Sequence, residues 1–291
     1  MDLCDVSTIE QLCRRYGLHP TREAGQNFLV SRPTLEQVVA AADLHSGERV
    51  LEIGPGFGTL TLALLDAGCE VVAVELDTRL AAALRKVAAA GSRLEVVEGD
   101  IFRVWPTIRQ RFTDGGYKLV ANLPYGVVSQ VLRWFLEELP RPRLLVGMVQ
   151  REVAERAAAA PGAMSVLSVA VQLFGTPTVV GLVPPEHFWP VPAVTSAILR
   201  VSGIGADPGG YQQALSPVSH RQFLRLVKIG FSARRKQLHN TLSGGLGLTD
   251  ATVRDVLGTV GLNPRIRPQE VTMNQWVAVA RQLYSDPGIC I

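Results

Sequence analysis

Cysteine and histidine are sparse in this 291-residue chain, and what there is lies scattered. Cys4, Cys13, Cys69 and Cys290 form no C-x-x-C pair, and His19, His45, His187, His220 and His239 fall at no metal-ligand spacing. Ordinary reduced thiols and no structural or catalytic metal are therefore expected. No apolar run approaches the roughly 18 residues that would span a bilayer. The N-terminal stretch MDLCDVSTIEQLCRRYG mixes acids, bases and apolar residues where a leader would carry an apolar centre. The expectation is a soluble, cytoplasmic protein with no membrane partner. Neither an internal repeat nor a heptad is present, so nothing demands more than a monomer.

Acid is missing from one long stretch. No Asp or Glu occurs between Asp207 and Asp250, whereas Arg221, Arg225, Lys228, Arg234, Arg235 and Lys236 all do. Residues 1–199 hold 18 Lys+Arg against 21 Asp+Glu, while residues 200–291 hold 11 against 5. A solvated helix face interleaves both signs, so this imbalance points to a polyanion partner for the C-terminal part.

What is present is a large apolar content, 47% of residues, enough for one large domain and a smaller one. The middle of the chain alternates short β-rich runs, at 49–53, 70–75, 94–100, 118–121 and 143–149, with alanine-rich helical segments at about 59–67, 78–90 and 129–138. That alternation predicts an α/β fold, a parallel sheet with helices on both faces. Residues 204–210, IGADPGG, read as a linker, and helices are predicted at about 219–230, 232–242, 249–260 and 273–284. The division expected is 1–203 for the α/β part and 210–291 for a small all-helical domain.

The chemistry-bearing motifs sit at strand ends. Glu52-Ile53-Gly54-Pro55-Gly56-Phe57-Gly58 is a strand, a glycine turn and the start of a helix, where the backbone can approach a ligand closely and helix N–H groups are free to bind it. A dinucleotide fingerprint would carry a third glycine where Thr59 stands, which argues against a dehydrogenase. Glu75 ends the second strand, where an acid can accept from both hydroxyls of a ribose. Asp100 ends the third, where a carboxylate can accept from an adenine amino group. Three strand ends on one sheet edge form one crevice, which suggests an adenosine-containing cofactor. At the fourth, ANLPYG (121–126) stops the strand, because Pro124 cannot donate to a ladder and pushes Leu123 towards extended geometry. Taken alone it reads equally as a turn capped by Asn122 with Tyr125 packed on its neighbours.

These motifs resemble class I S-adenosylmethionine-dependent methyltransferases that act on an amino nitrogen. With GQNFL (25–29), Met148 to Arg156, Leu167-Ser168-Val169, Phe188-Trp189-Pro190-Val191-Pro192, FSARRKQLHNTL (231–242) and RPQE (267–270), nearly the whole chain is similar to the ribosomal RNA adenine dimethyltransferase family. The resemblance implies a Rossmann-like sheet and a small helical RNA-binding domain. It implies S-adenosylmethionine, leaving as S-adenosylhomocysteine, held by Asn27, Leu29, Gly54, Gly56, Glu75, Leu76, Asp100, Ile101 and Asn122. The reaction it implies is dimethylation of two adjacent adenines in the 3′-terminal hairpin of small-subunit ribosomal RNA, on immature 30S subunits. Asn122 and the Leu123 carbonyl would hold the amine, Pro124 would aim that carbonyl, and Tyr125 and Phe188 would face the base. Phe188 reads alternatively as core. RNA phosphates would be gripped through Arg234, Arg235 and Lys236, with Arg221, Arg225 and Lys228 as weaker candidates.

Three segments depart from the family pattern. Ala163 to Val166 is shorter and lacks the expected Lys and Tyr-Gly, Ala193 and Thr195 replace a Lys and an Asp, and the usual basic cluster before GQNFL is thinned to Arg22-Glu23-Ala24. They bear on RNA affinity and target rather than on the reaction. Two rival readings remain, a large-subunit adenine methyltransferase of the antibiotic-resistance type, and a ribosome-assembly or transcription factor that keeps the fold without turnover.

Overall fold

The computed structural model describes residues 1–20, 26–88, 91–113, 116–233 and 235–285. The chain divides into two compact units, 1–154 with 178–202, and 155–177 with 203–291. The helical unit thus includes a stretch that the sequence reading assigned to the first part.

In the first unit the apolar runs form a seven-stranded sheet. Its members are β2 (Arg49–Ile53), β3 (Glu70–Glu75), β4 (Leu94–Glu98), β5 (Lys118–Asn122), β6 (Leu144–Gln150), β7 (Thr176–Val183) and β9 (Ser196–Ser202), in the order β4-β3-β2-β5-β6-β9-β7. The first five are parallel. β9 runs antiparallel to β6, with Gln150 opposite Ser196, so the five strands expected from the sequence make the parallel part of a mixed sheet. β7 and β9 were not among the runs read from the sequence. A two-stranded ribbon pairs β1 (Phe28–Leu29) with β8 (Phe188–Trp189). Its first strand belongs to the GQNFL segment, of which Gly25 lies outside the described residues, as does the Arg22-Glu23-Ala24 cluster.

The sheet is flanked by α1 (Val6–Tyr16), α2 (Arg32–Ala42), α3 (Thr59–Asp66), α4 (Thr78–Val87), α5 (Ile101–Ile108) and α6 (Val128–Glu137), and α7 (Arg151–Ala157) leads out of the unit. Helix boundaries follow local capping. Asp5 and Asp77 accept backbone N–H bonds at the starts of α1 and α4, and Ser31 does so for α2, which carries Pro33 in its first turn. Strand order reverses about β2, so the strand ends beside β2, β3 and β5 open onto one crevice. Beneath it, Val50, Leu64, Val71, Ala73, Val120, Val146, Met148 and Ile198 are buried in one core.

The second unit holds α8 (Val166–Phe174), α9 (Tyr211–Leu215), α10 (His220–Gly230), α11 (Leu238–Leu246), α12 (Asp250–Thr259) and α13 (Met273–Ser285). The helix expected over 232–242 begins only at Leu238. Ser232 N–H closes on Ile229 O, Lys236 N–H on Ala233 O, and Leu238 N–H donates 2.8 Å to Ile266 O. Residues 231–233 and 235–237 are therefore turns and bends rather than helix, and Leu238 enters the core. No helix among the described residues is long and apolar enough to cross a membrane.

Candidate active site

β2 ends at Ile53 and the chain turns through Gly54, Gly56 and Gly58 at φ of 68°, 59° and 98°. A side chain is strained there, and the turn is also tightly covered. A Cβ on Gly56 would lie 3.0 Å from the Phe28 ring, and one on Gly58 2.5 Å from Leu84 Cδ1. The glycine N–H groups are used inside the fold, Gly54 to Val74 O and Gly58 to Pro55 O at 2.9 Å each. The first turn of α3 has no side-chain cap, and a helix start of that kind leaves N–H donors that a ligand can take.

Two carboxylates bracket this turn. Glu75, 6% exposed, accepts from Gly56 N–H (3.1 Å) and Asp77 N–H (3.0 Å). Burial raises its pKa, and those backbone donors partly oppose the rise. Glu52, 1% exposed, accepts 2.6 Å from the Thr61 hydroxyl. Burial, with the Glu75 charge adding to it, pushes the Glu52 pKa up to about 8. From the sequence Glu52 was named only as the head of the glycine motif, with no role assigned, and Thr61 was not singled out. Leu76 follows Glu75 with its side chain 72% exposed. Asp100 caps α5, accepting from Phe102 N–H at 2.9 Å, and Ile101 behind it is buried.

The turn after β5 closes against the glycine turn. A Cβ on Gly54 would lie 3.5 Å from the Pro124 ring. Asn122 Nδ2 donates 2.9 Å to Asn27 O, which orients the amide and directs its Oδ1 away from that carbonyl. The Asn27 Oδ1 is itself buried with no partner among the described residues, the kind of orphan that a bound ligand satisfies. Leu123 N–H donates 3.2 Å to Met148 O, while its carbonyl accepts no bond from the described residues. Tyr125 is half-buried, and its hydroxyl lies 2.7 Å from Ser196 Oγ. Leu29 and Phe188 pair across the ribbon, and both side chains are buried in the core. Phe188 is only 2% exposed, so in this conformation its ring has no open face for a base, and the core alternative is the one the structure displays. Phe28 packs on Phe57 of the glycine turn, ring centroids 4.9 Å apart.

In the helical unit, Arg221, Arg225 and Lys228 are exposed on α10 at spacings of four and three, one face of the helix, while Phe223, Leu224, Leu226 and Val227 bury the other. Arg235 and Lys236 are exposed in the following turn, and Arg234 lies outside the described residues. The turn is anchored behind by His239, which is buried and hydrogen bonds to Gln237 Oε1 (2.9 Å) and to Asp250, with Arg254 Nη2 3.0 Å from its Nε2. Among the described residues no group of three or more His, Cys, Asp or Glu is placed to hold a metal ion.

The sheet order and the crevice between the glycine turn and the β5 turn define a class I methyltransferase, an enzyme that takes its methyl group from S-adenosylmethionine. The ribosomal RNA adenine dimethylase family model matches residues 19–281, and the chain belongs to that family. It is 38% identical over 273 residues to a ribosomal RNA small subunit methyltransferase A of Dehalococcoides mccartyi, covering 93% of this chain and 91% of that protein. The Nocardia farcinica protein of that name is 39% identical over 290 residues, 96% of this chain and 95% of its own. Among solved structures, a dimethyladenosine transferase from Plasmodium falciparum superposes with a TM-score of 0.72 at 24% identity, over 88% of this chain and 97% of that one. The 23S rRNA methyltransferase ErmE superposes at 0.66 with 27% identity, over 89% of this chain and all of that one. The protein is thus an S-adenosylmethionine-dependent rRNA adenine dimethyltransferase.

Proposed function

We propose that this enzyme dimethylates the 6-amino groups of two adjacent adenines in the 3′-terminal hairpin of small-subunit ribosomal RNA, on immature 30S particles, in the cytoplasm and as a monomer. The observation that carries the chemistry is the Asn122 amide, oriented by Asn27 O at 2.9 Å beside the glycine turn. The small-subunit target is supported by the names of relatives that match nearly end to end.

The crevice fits the cofactor on its own terms. Glu75 keeps lone pairs for ribose hydroxyls, the exposed Leu76 offers an apolar surface to an adenine, and Asp100 has a second carboxylate oxygen for its amino group. The buried Asn27 Oδ1, an acceptor with no partner among the described residues, belongs to the residue whose carbonyl holds Asn122. When bound, S-adenosylmethionine supplies an electrophilic methyl group on its sulfonium.

The chain's residues then solve a nucleophilicity problem. An adenine amino nitrogen is a poor nucleophile because its lone pair is delocalised into the ring. Asn122 Oδ1 and the Leu123 carbonyl accept its two N–H bonds, which holds the nitrogen with its lone pair directed at the crevice. The acceptors are set before the base arrives, by the bonds to Asn27 O and Met148 O, so little reorganisation accompanies reaction. Tyr125 offers its ring for the extruded base to stack on. In the helical unit the α10 face and the 235–236 turn contact phosphates, which position the RNA, while hairpin shape and the extruded base specify the site.

The test is methyl transfer from labelled S-adenosylmethionine to immature small subunits, mature small subunits and large-subunit RNA, mapped to single nucleotides. Dimethyladenine at adjacent adenines of the small-subunit hairpin is expected. Label in large-subunit RNA instead would make this an enzyme of the ErmE type.

A further inference from the structure

We propose that Ser196 is a positioning residue for the second of the two methyl transfers, acting through the phenol of Tyr125. The inference rests on the reading above, in which the target base stacks on Tyr125. Ser196 is the first residue of β9, opposite Gln150 of β6, and is 0% exposed. Its hydroxyl lies 2.7 Å from the Tyr125 hydroxyl, a contact between residues 71 positions apart. A buried hydroxyl with no partner is costly, so Ser196 and Tyr125 satisfy each other. The consequence for the ring is geometric. Its near end follows the backbone turn that Pro124 sets, and its far end is tied to β9, so the long axis of the ring is held at both ends and the ring cannot slide sideways.

The chemistry makes that fixation matter unequally. In each transfer the amine lone pair forms the N–CH3 bond, the S–CH3 electron pair returns to sulfur, and one N–H proton is lost to water. Before the first transfer the amine has two N–H donors for two acceptors, Asn122 Oδ1 and the Leu123 carbonyl. Before the second it has one, and a methyl group faces the other acceptor. Half of the hydrogen-bond positioning is then gone, and stacking must hold the base in register. The Ser196–Tyr125 bond therefore serves the second transfer more than the first.

The experiment uses full-length protein, immature small subunits and single-turnover kinetics, with mono- and dimethyladenine separated by mass spectrometry. Ser196→Ala and Tyr125→Phe should each slow the second transfer about tenfold and the first less than about threefold, within the ~10²-fold that a 1 Å misplacement can cost. Monomethyladenine should accumulate, the double variant should be no worse than either single, and Ser196→Thr should restore the wild-type ratio. Equal slowing of both steps, an unchanged product ratio, or additive effects of the two variants would overturn the proposal. Tyr125→Phe leaves Ser196 and the packing in place, so it decides the matter even where Ser196→Ala folds poorly. Tyr125→Ala separates the two levels. If it leaves both rates intact, the stacking reading itself fails; if it is inactive while Ser196→Ala and Tyr125→Phe keep the normal ratio, only the role of Ser196 fails.

Discussion

Replacing Glu52 with Gln should turn a pH-dependent stability into a flat one at this position. Glu52 is fully buried under the glycine turn, and its pKa rises from the ordinary 4.5 to about 8. A raised carboxyl pKa means that the folded state binds the proton more tightly than the unfolded chain does. Its contribution is therefore most favourable below about pH 4.5, falls as pH rises, and reaches its full cost above about 8. A tenfold change in proton affinity is worth about 1.4 kcal/mol, so complete ionisation costs roughly 5 kcal/mol, most of it already incurred at pH 7. Glutamine cannot ionise, and its amide oxygen can still accept the Thr61 hydroxyl that Glu52 accepts at 2.6 Å. The stability of Glu52→Gln minus that of the wild type should accordingly climb by about 1 kcal/mol for each pH unit between pH 5 and pH 8 and then level off. Urea denaturation midpoints of both proteins across pH 5 to 9, with the m-values compared, provide the assay. A difference that stays constant across that range would refute the reasoning and show Glu52 to be ionised at no cost.

Asn122→Ala should lower the methyl-transfer rate on the order of 10²–10³-fold while sparing RNA binding, and a near-normal single-turnover rate would remove Asn122 from the mechanism. Gly58→Ala places a Cβ 2.5 Å from Leu84 Cδ1 at φ 98°; it should destabilise the fold by about 2 kcal/mol and weaken S-adenosylhomocysteine binding, read by thermal denaturation and calorimetry. Arg235→Ala and Lys236→Ala should each flatten the log–log salt dependence of RNA affinity by about one charge, and an unaltered slope would place the phosphates elsewhere.

How much of this was legible in the sequence follows from what each feature depends on. β2 and β3 lie at 49–53 and 70–75 as expected, because fully buried parallel strands are continuous apolar runs bounded by turns. The grouping of Gly54, Glu75, Asp100 and Asn122 at neighbouring strand ends was legible for the same reason, since a strand end fixes where the next residue goes. What was missed depends on partners distant in sequence. Nothing near 232–242 announces that Leu238 N–H will be taken by Ile266 O, so helical propensity alone extended α11 backwards over the basic turn. Phe188 was left open between a ring facing the base and core, and its burial depends on the ribbon with Leu29, a partner distant in sequence. The Tyr125–Ser196 bond spans 71 positions and has no local signature.

The discontinuous helical unit has a consequence for synthesis on the ribosome. The chain leaves the first unit after Ala154, makes α8, and returns at Thr178, within β7, before β9 completes the sheet. α8 has six of its nine residues buried, among them Val169, Val171, Leu173 and Phe174, and Phe174 meets the His220 ring edge-on at 5.3 Å. That ring belongs to a helix translated some forty residues later. An apolar helix thus emerges well before the surface that will cover it, and a chain cut after residue 203 would carry an intact sheet with that helix bare. Such a fragment should aggregate, and any dissection of the enzyme into separately produced halves must move residues 155–177 as well.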